Sequence, residues 1–301
     1  MNKERYGTFF AIIAAIISGF SIPLNKMFIV NLDPSVFTAV RSLIIGIAFF
    51  LIASYKSKFN FKNFKKVSWK YLMAIAVVGG SFAFLLFFSG LNLTTSGRAA
   101  FLQKTMPLYI TVLAFLFLKE KISKKYLYAL LLMFIGTLAV YFSQTDISAL
   151  WSNPSLGDIL IIGATFLWAV ENIIARKSMI KGENNFVVSF ARMFFGGLIL
   201  FAVVLLLGKA DLLLSLNASQ VTNISISALI LFSYVFFWYW SIKMINVSKA
   251  SAFLLLSPAI SLLFGAIFIG EPIPFLQLIG CALIVIGSYF LSNVKSETNY
   301  V

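Results

Sequence analysis

The stretch "AAFLQKTMPLYITVLAFLFLKEKI", residues 99–122, has the length and apolar content of a membrane-spanning helix, yet it contains Lys104 and Pro107. A helix needs about 20 mainly apolar residues to cross a bilayer. A charge at its centre costs about 2.5–3.5 kcal/mol on insertion scales, and a proline removes one backbone hydrogen bond. The stretch therefore predicts a membrane helix whose centre faces protein or water and has a role beyond spanning.

The composition of the whole chain is that of a helical membrane protein. Of its 301 residues, 60% are hydrophobic and 11% are charged, whereas soluble domains average roughly 45–50% and about 25%. With one cysteine, Cys281, and no histidine, we expect no disulfide, no metal site and no cofactor. The sequence has no Walker loop and no nucleophile–base set, so we expect neither an enzyme nor an ATP-driven pump.

Ten apolar segments are long enough to span a bilayer, and this number predicts that both termini lie on one side. We read the N-terminal segment as the first span, because no signal-peptide cleavage site follows it. The ten ranges are 7–25, 34–54, 70–91, 96–118, 123–142, 157–178, 186–208, 224–245, 249–270 and 273–293.

The basic residues orient these spans. Eighteen of the 24 Lys and Arg residues fall on the side of the termini and three on the other side, while Arg41, Lys104 and Arg192 lie within spans. Loops that face the cytosol are enriched in Lys and Arg. The bias predicts cytoplasmic termini in a multi-pass protein of the cell membrane, and it accounts for the net charge of +14 without a nucleic-acid partner.

A constant offset of 151 residues relates the two halves of the chain. It connects Pro107 with Pro258 and Glu120 with Glu271. The same offset relates Lys26 to Lys177, Arg41 to Arg192, Gly46 to Gly197, Phe117 to Phe268, Ile122 to Ile273 and Gly136 to Gly287. We therefore predict two five-helix repeats, residues 1–145 and 153–294. Because five is odd, the second repeat is inverted in the membrane, an architecture typical of alternating-access transporters whose substrate site lies between the repeats.

Both copies also resemble a known repeat. "TSGRAAFLQKTMPLYITVLAFLFLKEKISKKYLYALLLMFIGTLAVYF" and "NVSKASAFLLLSPAISLLFGAIFIGEPIPFLQLIGCALIVIGSYFL" are similar to the EamA repeat of the drug/metabolite transporter superfamily, with a mid-helix proline and a glutamate 13 residues later. The resemblance implies ten helices, export of small metabolites that are often amino acids, and a functional monomer. Lys104 aligns with Leu255 or Leu256, so it belongs to this protein and not to the repeat pattern.

Lys104 is the first candidate for substrate binding. Its helical face is small and polar, and Pro107 frees the carbonyl of Gln103, so that Gln103 and Thr111 are available to a ligand or water. One interpretation is a site for an anion or a carboxylate. The alternatives are a structural ion pair or a lysine that extends to the interface.

Glu171 is the second candidate, on a face of small residues. It loosely resembles the essential glutamate of the small multidrug resistance branch, which implies proton coupling or binding of an ammonium group. The alternative is an ion pair with Lys104 or Arg192. An amino-acid zwitterion fits a gap between Lys104 and Glu171, with its carboxylate at the lysine and its ammonium at the glutamate.

The remaining candidates are weaker. Trp168, Tyr234 and Trp238 either line a cavity with an apolar slot or pack ordinarily. Ser21 belongs to a small-residue face of the first helix that is expected to pack closely or face the cavity. We assign kinking and gating to Pro23, Pro107 and Pro258.

Two further pairs of charged residues are expected to be structural. For Arg41 and Arg192 we favour pairing with loop carboxylates or headgroups. Glu120 and Glu271 end their helices, where an acid opposes the helix dipole, so each is expected to have a specific partner.

Three functions remain open from the sequence. The first is a secondary transporter that exports amino acids or related small metabolites. The second is a proton-coupled exporter of lipophilic cations or drugs that uses Glu171 as the acid, although the fixed charge of Lys104 repels cations. The third is a membrane scaffold or sensor, for which the repeat and the buried charges are costly.

Overall fold

A computed structural model describes residues 3–29, 32–56, 68–142, 149–270 and 272–296. All regular secondary structure in these ranges is helical. The five long helices of the first half are α1 (Lys3–Phe28), α2 (Pro34–Lys56), α3 (Trp69–Leu91), α4 (Gly97–Leu118) and α5 (Lys124–Phe142). Those of the second half are α6 (Leu156–Ile180), α7 (Asn185–Leu206), α8 (Ala218–Met244), α9 (Val247–Phe268) and α10 (Phe275–Ser292). Ala149–Ser152 and Ala210–Leu214 are short connecting helices.

Nine of these helices, α2 to α10, are long and apolar enough to cross a membrane, counted over the described residues. The fold class is therefore confirmed as an all-helical membrane protein. α1 is a tenth long helix of 26 residues. That it also spans the bilayer stays a prediction.

The two repeat-related prolines lie beside helix interruptions. In α4, regular helix ends at Gln103 and resumes at Met106, with Pro107 in the first turn of the new segment. In α9, a 3₁₀ turn, Leu254–Leu256, precedes a segment with Pro258 in its first turn. Proline is well suited to a first turn because its missing N–H has no partner there in any case. The gating role of these prolines stays a prediction.

The ends of α4 and α9 also match at the offset of 151. Each closes with a π-helical turn, Ala114–Leu118 and Gly265–Ile269. The next residue is left-handed in both, Lys119 with φ 57° and Gly270 with φ 76°. Glycine adopts this conformation freely, whereas a residue with a Cβ is strained in it. Lys119 is exposed, so its backbone strain is not offset by packing.

Lys119→Gly is expected to stabilise the protein by about 0.5 kcal/mol, because the strain it relieves exceeds the small loss of a positive charge near a helix end. Gly270→Ala, at the matching position, is expected to destabilise it by about 1 kcal/mol. Melting temperatures of the purified variants in one detergent check both signs. Equal melting of Lys119→Gly and wild type would show that the left-handed residue carries no strain.

The helices of the two halves pack on one another in a reciprocal pattern. α1 packs mainly against α8 and α9, and α6 packs mainly against α3 and α4. α2 lies along α7, and α5 lies along α10. Replacing each helix by its repeat mate, five places away in the chain, converts the α1 contacts with α8 and α9 into the α6 contacts with α3 and α4. The same replacement leaves the α2–α7 and α5–α10 pairs unchanged. The first helix of each half is therefore bound by the third and fourth helices of the other half.

Glycines allow the closest of these contacts. A Cβ on Gly136 of α5 would lie 2.6 Å from the carbonyl oxygen of Gly280 in α10, and one on Gly280 would lie 2.6 Å from that of Gly136. A Cβ on Gly287, the repeat mate of Gly136, would lie 2.5 Å from Met133 Cγ. Small residues at such crossings bring membrane helices into van der Waals contact.

Candidate functional site

A buried ion pair lies where α6, α7 and α8 meet. An Arg192 Nη1 atom is 3.5 Å from Glu171 Oε2. The Tyr239 hydroxyl donates to the other carboxylate oxygen at 2.5 Å and lies 3.4 Å from Arg192 Nη1. Glu171 is fully buried and Arg192 is buried too. The three side chains form one charge-neutral cluster, as a membrane interior requires.

α3 contacts this cluster through two glycines, which have no side chains. Its π-helical turn, Val78–Phe82, contains Gly79 and Gly80. A Cβ on Gly79 would lie 2.2 Å from Glu171 Cγ, and one on Gly80 would lie 2.3 Å from the Arg192 carbonyl oxygen. The two glycines therefore let α3 cover the ion pair and keep lipid away from it.

Asn172, next to Glu171, joins two tryptophans. Its side-chain nitrogen donates to the Trp168 carbonyl at 2.8 Å, and its oxygen accepts from the Trp238 indole at 2.7 Å. The Trp168 indole donates to the Gly79 carbonyl at 3.1 Å. Tyr234 stacks on Trp238, with ring centroids 6.2 Å apart and planes 6° apart. The three predicted aromatic residues thus lie in or beside the Glu171 cluster.

Arg192 corrects one expectation. We expected a loop carboxylate or a headgroup as its partner, but its partner is the intramembrane Glu171. The interpretation of Glu171 as paired with Arg192 is the one the structure shows. Helix arithmetic contains this signal: Arg192 is 7 residues from the start of α7 and Glu171 is 9 from the end of α6, which gives similar depths of about 10 and 14 Å at 1.5 Å per residue.

Sequence reasoning missed Tyr239, Asn172 and the Gly79–Gly80 pair. Tyr239 lies within the aromatic run "YVFFWYW", where no single ring stands out. Two adjacent glycines inside a span are a usable signal, because they weaken a helix unless a close contact requires them.

Lys104 is in a different situation from Glu171. It occupies the helix break in α4 and is only 5% exposed. Its ammonium makes no hydrogen bond or ion pair with any side chain or carbonyl in the described ranges. The alternative of a structural ion pair at Lys104 therefore finds no support among these residues.

The neighbours expected to act with Lys104 are placed differently. The Thr111 hydroxyl donates to the Pro107 carbonyl at 2.7 Å and contacts the Tyr126 hydroxyl at 2.6 Å. Gln103 is the last residue of its helical segment and is half-buried. Ser21 donates to the Ser18 carbonyl within α1. Pro23 lies in α1, but its side chain is outside the described part of the chain.

Glu120 has the specific partner that its position predicted. Its carboxylate accepts hydrogen bonds from the backbone amides of Val247 at 2.9 Å and Ser248 at 3.2 Å, and from the Ser248 hydroxyl at 2.5 Å. The acid at the end of α4 thus caps the start of α9, where the helix dipole favours negative charge. Glu271, its repeat mate, lies outside the described residues.

Two ion pairs occupy matching places in the two halves. Arg98 Nη2 at the start of α4 is 2.6 Å from Asp158 Oδ2 at the start of α6. Lys249 Nζ at the start of α9 is 3.1 Å from Glu4 Oε1 at the start of α1. Arg98 and Lys249 are related by the offset of 151. Each pair ties the fourth helix of one half to the first helix of the other.

The sequence profile of the EamA-like transporter family matches residues 5–142 and 155–293. The chain belongs to this family. Two matched segments agree with two repeats of about 140 residues. The chain is thus a multi-pass membrane protein of an EamA-like transporter family.

Relatives of this EamA-like protein are named as transporters. It is 25% identical to an uncharacterized transporter of Methanothermobacter thermautotrophicus, over 96% of this chain and 87% of that one. It is 26% identical to the uncharacterized transporter YyaM of Bacillus subtilis, over 95% and 93%. A crystal structure superposes with a TM-score of 0.77 over 95% of this chain and 98% of its own, at 17% identity, which shows a shared fold.

Proposed function

We propose that this protein is a secondary exporter of small metabolites that carry a carboxylate, with amino acids as the leading class. It works by alternating access between two inverted five-helix repeats in the cell membrane, with cytoplasmic termini. The reciprocal packing of α1 on α8 and α9, and of α6 on α3 and α4, supports the two-fold relation that this mechanism needs. Transport by a single chain agrees with both repeats lying in it.

The observation that carries the substrate class is the buried ammonium of Lys104. An unpaired charge in a bundle interior is expensive, so it persists where a ligand supplies the opposite charge. A carboxylate is the small-molecule group that binds an ammonium with charge-assisted hydrogen bonds. Lys104 lies at the break in α4, at mid-helix, and Leu255 at the matching place in α9 shows that the fold itself does not need a cation there.

The state of Glu171 argues against the second function, export of lipophilic cations. A cation exporter needs an acid free to bind its substrate, but the Glu171 carboxylate is bound by Arg192 and Tyr239. Lys104 and Arg41 add buried positive charge with no carboxylate partner in the described ranges. The carboxylate of a zwitterionic substrate would bind at Lys104, whereas Glu171 is already paired with Arg192 and Tyr239.

Lys104→Leu is expected to lower transport by about 100-fold, because one partner of a buried charge pair is lost. The variant places in α4 the residue that α9 carries at the matching position, so we expect it to fold. The measurement is counterflow of labelled amino acids in proteoliposomes, together with thermal stabilisation of the purified protein by the same compounds.

The matched control is Leu255→Met, a volume-conserving change that is expected to leave transport intact. Lys104→Arg is expected to keep part of the activity because it keeps the charge. Wild-type transport by Lys104→Leu would show that no carboxylate binds there. Stabilisation by quaternary ammonium ions alone would establish the cation exporter instead.

A further inference from the structure

Arg41 in α2 is a second buried cation that the proposed function does not use. Its side chain is only 6% exposed. One guanidinium nitrogen donates to the Ser227 hydroxyl of α8 at 3.1 Å, and the guanidinium lies over the Phe37 ring, 4.8 Å from its centroid. A guanidinium carries five N–H donors. In the described ranges no carboxylate lies within ion-pair distance of it.

Three unsatisfied buried polar atoms lie on residues 38–42 of α2. Its own Nε is buried without a partner in the described structure, and so are the hydroxyl oxygens of Thr38 and Ser42. Thr38 lies about one turn before Arg41 on α2, and Ser42 follows it directly. Buried polar groups normally have hydrogen-bond partners, and a cluster without them indicates a place for a ligand or water.

The repeat supplies the comparison that identifies what is absent. Arg192, the repeat mate of Arg41, has the carboxylate of Glu171 as its partner. The position that matches Glu171 in the first half is Phe20, which has no charge. The same fold therefore holds one buried arginine with a carboxylate and one without.

We propose that Arg41 is a second anion subsite, which binds a carboxylate of the transported metabolite as Arg192 binds the carboxylate of Glu171. The inference rests on the proposed function and extends it: the preferred substrate is an acidic metabolite with two carboxylates. Ser227 positions the guanidinium through its hydrogen bond to Nη1.

The depth of Arg41 supports a shared path with Lys104. Both lie 7 residues after the start of their spans, Pro34 and Gly97, which is about 10 Å at 1.5 Å per residue. α2 and α4 run in the same direction in the predicted topology, so the two cations are at similar depths from the outer face.

A cavity lies beside the N-terminal ends of α2 and α8. Its wall includes Leu32, Asp33, Val36 and Leu216. Leu32 and Leu216 also pack in one apolar cluster with Phe37, whose ring lies under the Arg41 guanidinium. Partial burial raises the pKa of Asp33, but hydrogen bonds from Lys209, Ser35 and the Val36 amide outweigh it and lower the pKa below 3.8. The carboxylate at the mouth is thus already neutralised by Lys209, 2.7 Å away.

Ser227→Asp tests the subsite without any ligand. The Ser227 hydroxyl now accepts from Arg41 and donates to the Asn25 side-chain oxygen at 2.6 Å, so both variants are made in an Asn25→Ala background. The new carboxylate is then expected to raise the melting temperature above that of the isosteric Ser227→Asn by several degrees. A melting temperature at or below that of Ser227→Asn would overturn the proposal, because it would show that the Arg41 environment does not accept a carboxylate.

L-glutamate and L-glutamine test the substrate. Both carry the α-carboxylate expected at Lys104, and only glutamate carries a second one. Wild-type protein in detergent is expected to bind glutamate about tenfold more tightly than glutamine, measured as thermal stabilisation at equal ionic strength. Arg41→Gln and Ser227→Asp are each expected to abolish this preference, so that glutamate is bound no more tightly than glutamine.

The outcomes separate the two proposals. Loss of both ligands in Lys104→Leu with the preference unchanged in Arg41→Gln would sustain the proposed function and overturn the Arg41 subsite. If neither ligand stabilises the wild type, the amino-acid function fails, and the Ser227→Asp comparison then decides for or against the subsite. Stabilisation of wild type but not Arg41→Gln by phosphatidylglycerol in nanodiscs, without a glutamate preference, would assign Arg41 to a lipid headgroup and overturn the proposal.

Discussion

Arg192→Met is expected to lower the free energy of unfolding by roughly 3–5 kcal/mol, because it removes one partner of a buried ion pair. The remaining Glu171 carboxylate would keep a single hydrogen bond, from Tyr239. It would lie fully buried under the bare backbone of Gly79. Protonation of Glu171 would remove its unpaired charge, but the ion-pair attraction that now holds α6 to α7 would still be lost.

A double-mutant cycle measures this coupling. Arg192→Met/Glu171→Gln is expected to recover most of the loss, because replacing both partners of a buried pair by neutral groups of similar volume costs little. The matched control is Arg41→Met, at the repeat-related position, for which a change of less than about 1 kcal/mol is expected because no carboxylate is left unpaired. Comparable losses in the two single variants would show that the carboxylate does not distinguish Arg192 from Arg41.

Gly80→Ala is expected to have an effect of similar size, about 3 kcal/mol, from overpacking. The added Cβ would lie 2.3 Å from the Arg192 carbonyl oxygen and 3.0 Å from Gly196 Cα. Both atoms belong to the backbone of α7, so no side chain can rotate away. We expect α3 and α7 to separate, the Glu171–Arg192 pair to loosen, and the melting temperature to fall together with transport.

Gly163→Ala is the control for the intrinsic effect of glycine in a helix. Its added Cβ would meet only the end of the Leu86 side chain, at 3.5 Å. A gain of about 1 kcal/mol is expected, since alanine is the better helix former. If both variants were stabilising, the contact between α3 and α7 would be looser than the structure indicates.

The offset of 151 residues, read from Pro107 and Pro258, predicted more of the structure than any other sequence feature. It located the helix interruptions, and it also relates Lys119 to Gly270 and Arg98 to Lys249. Repeats share backbone geometry even where their side chains differ. The offset therefore relates positions of matching backbone conformation whose residue types are different.

The pairing of Arg192 with Glu171 was one alternative from the sequence but not the favoured one for Arg192, for a physical reason. Helical spacing gives the face on which a residue lies only while the helix is regular. Arg192 lies in a π-helical turn, Ala191–Phe195, and the extra residue in this turn rotates the remainder of α7 by about 100°. Gly79 lies in a second such turn, so the two helices that enclose Glu171 both depart from the period that the sequence suggests.

Burial, by contrast, was well predicted for charged residues in spans. Arg41, Lys104, Glu171 and Arg192 are all buried. Which of them lack a partner depends on helix rotation and on pairing across the two halves. Neither can be read from one sequence, because hydropathy indicates how deep in the membrane a residue lies but not the direction in which its side chain points around the helix axis.

The reciprocal packing of the halves has a consequence for synthesis. α1 is made first, but the helices that mainly enclose it, α8 and α9, are made some 200 residues later. At about 5–20 residues per second this interval lasts roughly 10–40 s. During that time α1 lacks the helices that pack against its small-residue face, and Glu4 lacks Lys249. The first half therefore cannot complete its native contacts until the second half has been synthesised.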